Sequence, residues 1–305
     1  MDKIIVAGAT GNLGRRITRA LLQQGADVVA LVRHGSASGK VEALRMLGAT
    51  VAEVDFSRPA TVARACSGAS CVVSALSGVR EVILDAQTSL LDAAVEAGVP
   101  RFIPSDYCID FTRLPPGSNR NLDWRREFKL RVDGAALAAT SILNGAFTEM
   151  LTGQAPIILF KWNRVVYWGD ADQRMDFTTM DDTAAFTAAA ALDSSAPRLL
   201  RIAGDQISAR GLVSAASDAT GEPFRLFRAG GLGRLQAVIT VARAVFPART
   251  VLYPPWQGMQ YLHNMFSGLA VLDPIDNDRY PRARWTTVRD VLAQDRSTSR
   301  HTTGA

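Results

Sequence analysis

Short apolar runs and helical stripes alternate along the first half of the chain. Lys3–Ala7 is a run rich in β-branched residues, which predicts a strand buried on both faces. After it, apolar residues follow the spacing i, i+4, i+7, i+8 from Leu13 to Leu21. We therefore expect a helix that begins in the intervening turn and ends near Gly25.

The alternation continues to about residue 147. It predicts strands at 27–33, 49–55, 70–76, 101–106 and 140–147, and helices at 41–48, 81–98 and about 124–139. Strands that alternate with helices at this spacing indicate an α/β fold, a doubly wound parallel sheet of the Rossmann type.

The second half has a different pattern. Apolar runs at 155–160, 164–170 and 198–205 indicate strands, and 179–193 is an alanine-rich helix with two acids in its first turn. Four parts are expected: a core over 1–150, strands over about 165–205 that rejoin the core sheet, a smaller C-terminal substrate-binding cap over 206–292, and a frayed tail over 293–305.

Composition excludes several classes of protein. The chain has 305 residues, 48% of them hydrophobic and 21% charged, with a net charge of +5. Its basic residues form no run interleaved with aromatics, so an anionic cofactor explains the charge and we expect no nucleic-acid partner. No apolar span reaches membrane length and no leader precedes the first strand, so we expect no membrane partner and a cytoplasmic location.

Cysteine and histidine give no sign of a metal site. The three cysteines, Cys66, Cys71 and Cys108, lack metal-ligand spacing, and the three histidines lack nearby ligand partners. Buried, reduced cysteines and no bound metal are therefore expected.

Three glycines, Gly8, Gly11 and Gly14, occupy the turn between the first strand and the first helix. Glycines let the backbone approach a pyrophosphate closely, and the helix N-terminus presents free N–H donors and a positive dipole end. A structural turn is the alternative, but the strand before and the helix after both favour a dinucleotide site.

The end of the second predicted strand suggests which dinucleotide is bound. An NAD site usually places an acid about 20 residues past the glycines. Here Arg33 follows Gly14 by nineteen residues, Lys40 comes soon after, and no acid occurs between Asp27 and Glu42. Cationic side chains suit the 2′-phosphate of NADP(H), although a solvated basic loop would look the same.

The turn and three later segments resemble a known family. The spacing Gly-x-x-Gly-x-x-Gly at 8–14 resembles the atypical short-chain dehydrogenase/reductases. "LVR" at 31–33, "RFIPSD" at 101–106 and "TSILNGAF" at 140–147 narrow the likeness to the NmrA-like and isoflavone reductase-like members. Segment 169–184 extends it to about residue 190.

The resemblance implies a set of cofactor contacts. The pyrophosphate would lie on Gly8, Thr10, Gly11, Asn12, Leu13 and Gly14; the 2′-phosphate would face Arg33 and Lys40; the adenine side would be Asp55 and Phe56; and Ser74, Ala75, Leu76, Ser77 and Ser105 would continue towards the nicotinamide.

The resemblance also implies one catalytic lysine. A Tyr-x-x-x-Lys pair is absent, since Phe111 follows Tyr107 by four residues. The isoflavone reductase-like enzymes use a lysine at the start of the helix before the sixth strand. Lys129 matches their Lys-x-Arg pattern, although it lies closer to Thr140 than the plant lysine does. It could donate a proton, hold a substrate oxygen or orient the ribose. A solvated helix lysine is the alternative.

Substrate contacts are predicted at Tyr107, Asn144, Phe147, Tyr253, Trp256 and Tyr261. Aromatic rings in the cap could grip a flat apolar substrate, or they could pack the core of the cap.

Two functions fit the sequence. One is an NADPH-dependent reductase that transfers hydride to a small, largely apolar carbonyl, enone or benzylic ether, as a monomer or homodimer. The other is a non-catalytic NADP(H)-sensing regulator of the NmrA-like kind. The aromatic, lysine-free cap favours the enzyme.

Overall fold

The computed structural model describes residues 2–248, 250–282 and 284–302. It divides into two compact units. The first unit consists of residues up to 107 together with 121–142 and 183–200; the second consists of 108–120, 143–182 and the residues from 201 onward.

A six-stranded parallel sheet forms the centre of the first unit. Its strands are, in chain order, β1 (Lys3–Ala7), β2 (Asp27–Arg33), β3 (Thr50–Val54), β4 (Cys71–Ser74), β5 (Arg101–Ile103) and β6 (Ala138–Ala139). Their order in the sheet is β3-β2-β1-β4-β5-β6, and every neighbouring pair is parallel. The doubly wound sheet of the prediction is confirmed.

The helices of this unit follow its strands, and one of them, at Pro59–Cys66, was not predicted from the sequence. They are α1 (Asn12–Gln23), α2 (Ser38–Met46), α3 (Pro59–Cys66), α4 (Gln87–Glu96, preceded by a π-helical turn at Glu81–Ala86) and α5 (Arg120–Asp133, whose first residue belongs to the second unit). The last of these begins and ends earlier than the predicted helix at 124–139.

Apolar strand residues explain why this sheet lies in the interior. Ile4, Ile5 and Val6 are fully buried because helices cover both faces of a parallel sheet. On one face Phe102 of β5 meets Phe128 of α5 edge to face, with ring centroids 6.5 Å apart. Cys66, Cys71 and Cys108 are buried and form no disulfide.

The remaining elements belong to the second unit, except for three that are divided between the units and lie mostly in the first, at 141–143, 180–192 and 199–201. The strands are β7 (Ser141–Leu143), β8 (Ala146–Phe147), β9 (Ile158–Leu159), β10 (Arg164–Trp168), β11 (Arg174–Thr178), β12 (Leu199–Arg201), β13 (Asp205–Ser208) and β14 (Arg225–Gly230). The helices are α6 (Met180–Leu192), α7 (Ala209–Thr220), α8 (Leu232–Val245), α9 (Pro255–Phe266) and α10 (Val288–Thr302), with 3-10 turns at Thr148–Thr152, Phe160–Trp162 and Asn277–Arg279.

The predicted strand over 140–147 is in fact two short strands, β7 and β8, that belong to two different sheets. Gly145 has φ +68°, and a Cβ there would lie 2.2 Å from the Asp176 carbonyl oxygen. The chain turns at this glycine, so β8 pairs with β11 rather than continuing the strand. A residue pattern cannot reveal so close a contact with a segment thirty residues away.

The strands over about 165–205 do not rejoin the main sheet, so that expectation is wrong. β10 pairs with β9 and β14, β11 pairs with β8 and β13, and β12 pairs with β7. Most residues of β10 are only half-buried. Strands covered on one face suit small sheets better than the centre of a parallel sheet.

The expected frayed tail at 293–305 also differs, because α10 continues to Thr302. Val288 and Leu292 are buried, one helical turn apart, where α10 packs against α7. Residues 303–305 lie outside the described part of the chain.

Candidate functional site

The glycine turn follows β1 directly and is shaped by close backbone contacts. Gly8 has φ +79°, and a Cβ at this position would lie 2.6 Å from the Ala75 carbonyl oxygen, just beyond β4. The Ala75 N–H donates to the Ala7 carbonyl at 2.8 Å. A side chain at position 8 would therefore be strained and would also push the ends of β1 and β4 apart.

Gly14 lets the first helix lie directly on the turn. A Cβ at Gly14 would lie 2.2 Å from the Gly8 carbonyl oxygen and 3.0 Å from the Ala9 Cα. Gly11 is less restricted, with 3.2 Å to the same oxygen. The structure thus requires glycine at positions 8 and 14 for different reasons: a side chain at Gly8 would meet the backbone after β4, and one at Gly14 would meet the backbone of Gly8.

The N-terminus of α1 is left open to a ligand. Its N-cap residue is Gly11, and no side chain caps the helix. Asn12 is exposed, while Thr10 and Leu13 are half-buried at the same turn. Uncapped N–H groups at a helix N-terminus are donors for an anion such as a pyrophosphate.

Basic side chains follow β2. Arg33 and Lys40 are both exposed, as a contact with a phosphate requires. Beside them, His34 Nδ1 lies 3.1 Å from Glu53 Oε2 of β3, a pair that is also exposed. Glu53 therefore brings an acid to this edge from the neighbouring strand.

Asp55 and Phe56, predicted for the adenine side, directly follow β3. The Asp55 carboxylate accepts hydrogen bonds from the Ser57 hydroxyl at 2.6 Å and the Ser57 N–H at 2.9 Å. These bonds lower the pKa of Asp55, the hydroxyl bond most. The Phe56 ring is half-buried against the core. Asp55 and Phe56 therefore lie at the end of β3, with the Phe56 ring packed against the core.

The last residue of β4 carries a buried hydroxyl. Ser74 is fully buried, and its Oγ has no hydrogen-bond partner in the described part of the chain. Ala75 and Leu76 are half-buried and Ser77 is exposed. A buried polar group without a partner is costly unless a ligand or water satisfies it.

Ser105, just after β5, is held from three directions. Its hydroxyl donates to the Leu76 carbonyl at 2.7 Å, and its N–H donates to Gln87 Oε1 at 3.0 Å. Its own carbonyl accepts from Arg125 Nε at 3.2 Å. The ends of β4 and β5 are thus joined to α4 and α5.

These groups lie at one edge of the sheet. Gly8, Arg33, Asp55, Ser74 and Ser105 stand at the carboxyl ends of β1 to β5 or directly after them. The strand order reverses between β1 and β4. Open α/β sheets bind ligands outside the carboxyl ends of the strands at such a switch point, and these sequence-predicted cofactor residues stand at that edge.

Lys129 lies on α5 with its ammonium group engaged. Its Nζ donates to Asp133 Oδ2 at 2.5 Å, and Asp133 Oδ1 accepts from Arg198 Nε at 2.8 Å. The Lys129 side chain is 25% exposed. The structure therefore shows an ion pair between two residues one helical turn apart on α5, and the catalytic role of Lys129 stays a prediction.

A buried carboxyl lies near this ion pair. The Ser141 hydroxyl donates to Asp106 Oδ2 at 2.6 Å and accepts from Arg198 Nη1 at 2.7 Å. Burial raises the pKa of Asp106, and the Ser141 hydrogen bond and the charges of Arg125, Arg198 and Lys129 oppose that shift. Hydrogen bonds thus link Asp106 to Lys129 through Ser141, Arg198 and Asp133.

Two predicted substrate residues, Asn144 and Phe147, lie shortly after β7, and a third, Tyr107, lies shortly after β5. Tyr107, in the first unit, is buried, and burial raises the pKa of its phenol. In the second unit Asn144 is buried and its carbonyl accepts from Thr178 Oγ1 at 2.7 Å, while Phe147 pairs with Thr178 in the sheet. The backbone of Asn144 thus forms a hydrogen bond within the second unit, and the contacts of all three residues with a substrate stay predictions.

The predicted aromatic residues of the cap have different environments. Trp256 is 2% exposed, its indole N–H donates to the Phe246 carbonyl at 2.7 Å, and the Arg120 guanidinium lies 4.7 Å from its ring centroid. Tyr253 is 60% exposed, and its ring lies 6.4 Å from that of Tyr261. Trp256 therefore packs the second unit, whereas Tyr253 is exposed and Tyr261 half-buried.

A family model agrees with this geometry. The description "NmrA-like family" matches residues 1–231, which include the glycine turn and the whole parallel sheet. The chain belongs to the NmrA-like family.

Relatives of this NmrA-like chain are plant reductases. It is 33% identical over 201 residues to pinoresinol reductase 1 of Arabidopsis thaliana, a match over 61% of this chain and 63% of the relative. It is 29% identical to the isoflavone reductase homolog IRL of Zea mays, over 73% of this chain and 76% of that protein. The chain thus spans less than two thirds of the pinoresinol reductase.

Solved structures show that the fold extends over nearly all of the chain. The structure of AtPrR2 with NADP+ and (+)pinoresinol has a TM-score of 0.80 at 24% identity, over 96% of this chain and 98% of that one. A crystal structure of isoflavone reductase has a TM-score of 0.81 at 20% identity, over 96% and 99%. This NmrA-like chain therefore shares their fold through both units.

Sequence reasoning missed three residues at the edge of this NmrA-like sheet. Gln87 and Arg125 hold Ser105, and Glu53 pairs with His34. Gln87 had a detectable signal, because it is a polar residue on the apolar side of a predicted helix. Arg125 and Glu53 had none, since their partners come from other elements.

Proposed function

We propose that this chain is an NADP(H)-dependent oxidoreductase whose first unit binds the cofactor. The observation that carries the proposal is the turn at Gly8 and Gly14, where even one added Cβ would collide with backbone. Such a turn beneath an uncapped helix N-terminus suits a pyrophosphate. The NADP+ in the similar AtPrR2 complex supports this proposal.

The residues present fit the cofactor along its length. N–H groups at the start of α1 would bind the pyrophosphate, and the exposed Arg33 and Lys40 would bind the 2′-phosphate. The unpartnered Ser74 hydroxyl would gain a partner in the segment beneath the cofactor. Ser105 would lie near the nicotinamide, held in place by Gln87 and Arg125.

The proposed reaction is reduction of a small, largely apolar carbonyl, enone or benzylic ether. Bound NADPH supplies the hydride. Lys129 would donate a proton or hold the substrate oxygen, and Asp133 would hold its ammonium group in place until then. In the second unit, Tyr253 and Tyr261 stay candidate substrate contacts. The similar pinoresinol reductase and pinoresinol-lariciresinol reductase support a reductase.

A turnover assay tests this proposal. Purified protein is mixed with NADPH and, separately, with pinoresinol, a quinone and an enone, and loss of nicotinamide absorbance is followed. We expect turnover with at least one substrate and much less with NADH. Saturable NADPH binding without turnover of any of the three would overturn the reductase and leave only the cofactor site.

A further inference from the structure

One segment carries a net charge as large as that of the whole chain. Residues 223–272 contain five arginines, Arg225, Arg228, Arg234, Arg243 and Arg249, and no lysine, Asp or Glu. The whole chain has 34 basic and 29 acidic residues, so the other residues balance at 29 and 29. A surface formed by this segment therefore attracts anions, because it has no acids of its own.

The same segment exposes much of the apolar surface of the chain. Fourteen large hydrophobic side chains are exposed among the described residues, and eight lie in it: Phe227, Val238, Val241, Val245, Phe246, Val251, Tyr253 and Leu269. Clustered exposed apolar side chains usually mark an interaction site. The positive charge and most of the exposed apolar side chains thus lie in the same segment of the chain.

Helix α8 has two apolar sides, of which one is covered. Leu235 and Ile239 are buried within the second unit. Val238, Val241 and Val245 form a second stripe, spaced i, i+3, i+7, that is exposed, and Val241 is 63% exposed. Arg234 begins this stripe one turn earlier. A surface helix normally exposes a polar face, so this stripe indicates a partner.

The loop after α8 is held with its apolar side chains outward. Arg120 Nη2 donates to the carbonyls of Val251 and Leu252 at 2.9 Å each, and the Trp256 indole donates to the Phe246 carbonyl. Because these backbone oxygens are bonded inward, the loop keeps its shape while Phe246 and Val251 stay exposed. The loop is therefore preorganised for contact.

We propose that this surface, formed by Arg228, Arg234, Val238, Val241, Val245 and Phe246, docks on the face of a membrane that contains anionic lipid. The arginines would meet phosphate headgroups, and the valines and Phe246 would enter the boundary with the acyl chains. No helix among the described residues is long and apolar enough to cross a membrane. Peripheral docking needs no such span, so this proposal revises the expectation of no membrane partner.

Charge selects this occupant over the alternatives. A second copy would bring arginines against arginines, which repel in an apolar contact. An acidic protein could satisfy the arginines, but exposed apolar residues on both a helix and the adjoining loop fit a continuous lipid boundary better. The proposal does not depend on the cofactor or on turnover.

Sedimentation with lipid vesicles tests the proposal. Full-length protein is mixed with vesicles of phosphatidylcholine alone or of phosphatidylcholine with phosphatidylglycerol, at low and high salt. We expect binding to the anionic vesicles that weakens with salt. Arg228→Gln and Arg234→Gln should each weaken it about fivefold, and Val241→Asp about tenfold or more. Met46→Asp, at an 81% exposed position on α2, is the matched control and should change nothing.

Three results would overturn the proposal. One is equal sedimentation with neutral and anionic vesicles. Another is binding to soluble polyglutamate without binding to vesicles, which would indicate an acidic protein partner. The third is a dimer in light scattering that Val241→Asp converts to monomer, which would indicate an interface between copies. Circular dichroism of each variant verifies that it is folded.

Discussion

Gly14→Ala tests the steric logic of the cofactor turn. The new methyl group would stand 2.2 Å from the Gly8 carbonyl oxygen and 2.8 Å from the Gly8 carbonyl carbon. Both neighbours are backbone atoms that cannot rotate away. The turn must therefore move away from α1, and that movement displaces the N–H groups that would bind the pyrophosphate.

The magnitude follows from that distance. To reach ordinary van der Waals distance, the methyl carbon and the Gly8 carbonyl oxygen must move apart by about 1 Å. A displacement of that size in a binding or active site weakens its function about tenfold or more. Overpacking lowers the free energy of unfolding by about 1–3 kcal/mol, and the higher helix propensity of alanine raises it by up to about 1 kcal/mol. We expect a modest fall in the free energy of unfolding and at least about tenfold weaker NADPH binding.

Fluorescence titration with NADPH and urea unfolding measure both effects. Gly258→Ala is the matched control, because Gly258 is also helical and an added Cβ there would meet nothing within 4 Å. The control should keep wild-type affinity and lose no stability. If folded Gly14→Ala binds NADPH as tightly as the wild type, the turn does not hold the pyrophosphate.

Three further predictions concern charged residues. Arg33→Ala should weaken NADPH binding about tenfold or more and leave NADH binding nearly unchanged in the same titration, since a charged hydrogen bond to the 2′-phosphate is lost; equal losses would refute the contact. Lys129→Ala should lower kcat about 100-fold while NADPH still binds, whereas Asp133→Ala, which breaks the same ion pair, should lower it less; unchanged turnover removes Lys129 from the mechanism. Because the pKa of Asp106 is raised, the folded state binds the proton of this carboxyl more tightly than the unfolded state does. The contribution of Asp106 to the free energy of unfolding therefore falls as the pH rises from the ordinary pKa of an aspartate towards the raised pKa. In urea unfolding, Asp106→Asn should therefore gain stability relative to the wild type as pH rises across that range, and a pH-independent difference would contradict the assignment.

Local patterns were sufficient for much of the first unit. The apolar runs of β1, β2 and β4 and the stripe from Leu13 to Leu21 carry their own burial signal, because a parallel sheet buries both faces of its inner strands. The glycines between them mark the turn. That the sheet is parallel and doubly wound follows from the alternation of strands and helices.

Long-range contacts decided the rest. Gly145 turns against Asp176, and β11 pairs with β8 and β13 instead of returning to the main sheet. His34 meets Glu53 from another strand, and Trp256 packs with Arg120, far away in sequence. Spacing along the chain carries no signal for such partners, so the cap and its aromatic residues were the least predictable part.

The central claim is that the first β-α turn binds the diphosphate of NADP(H). Titration of the wild-type protein with NADPH, followed by nicotinamide fluorescence and repeated with NADH, tests it most directly. The account predicts saturation at micromolar NADPH and clearly weaker binding of NADH. An unchanged fluorescence signal up to millimolar NADPH would contradict it.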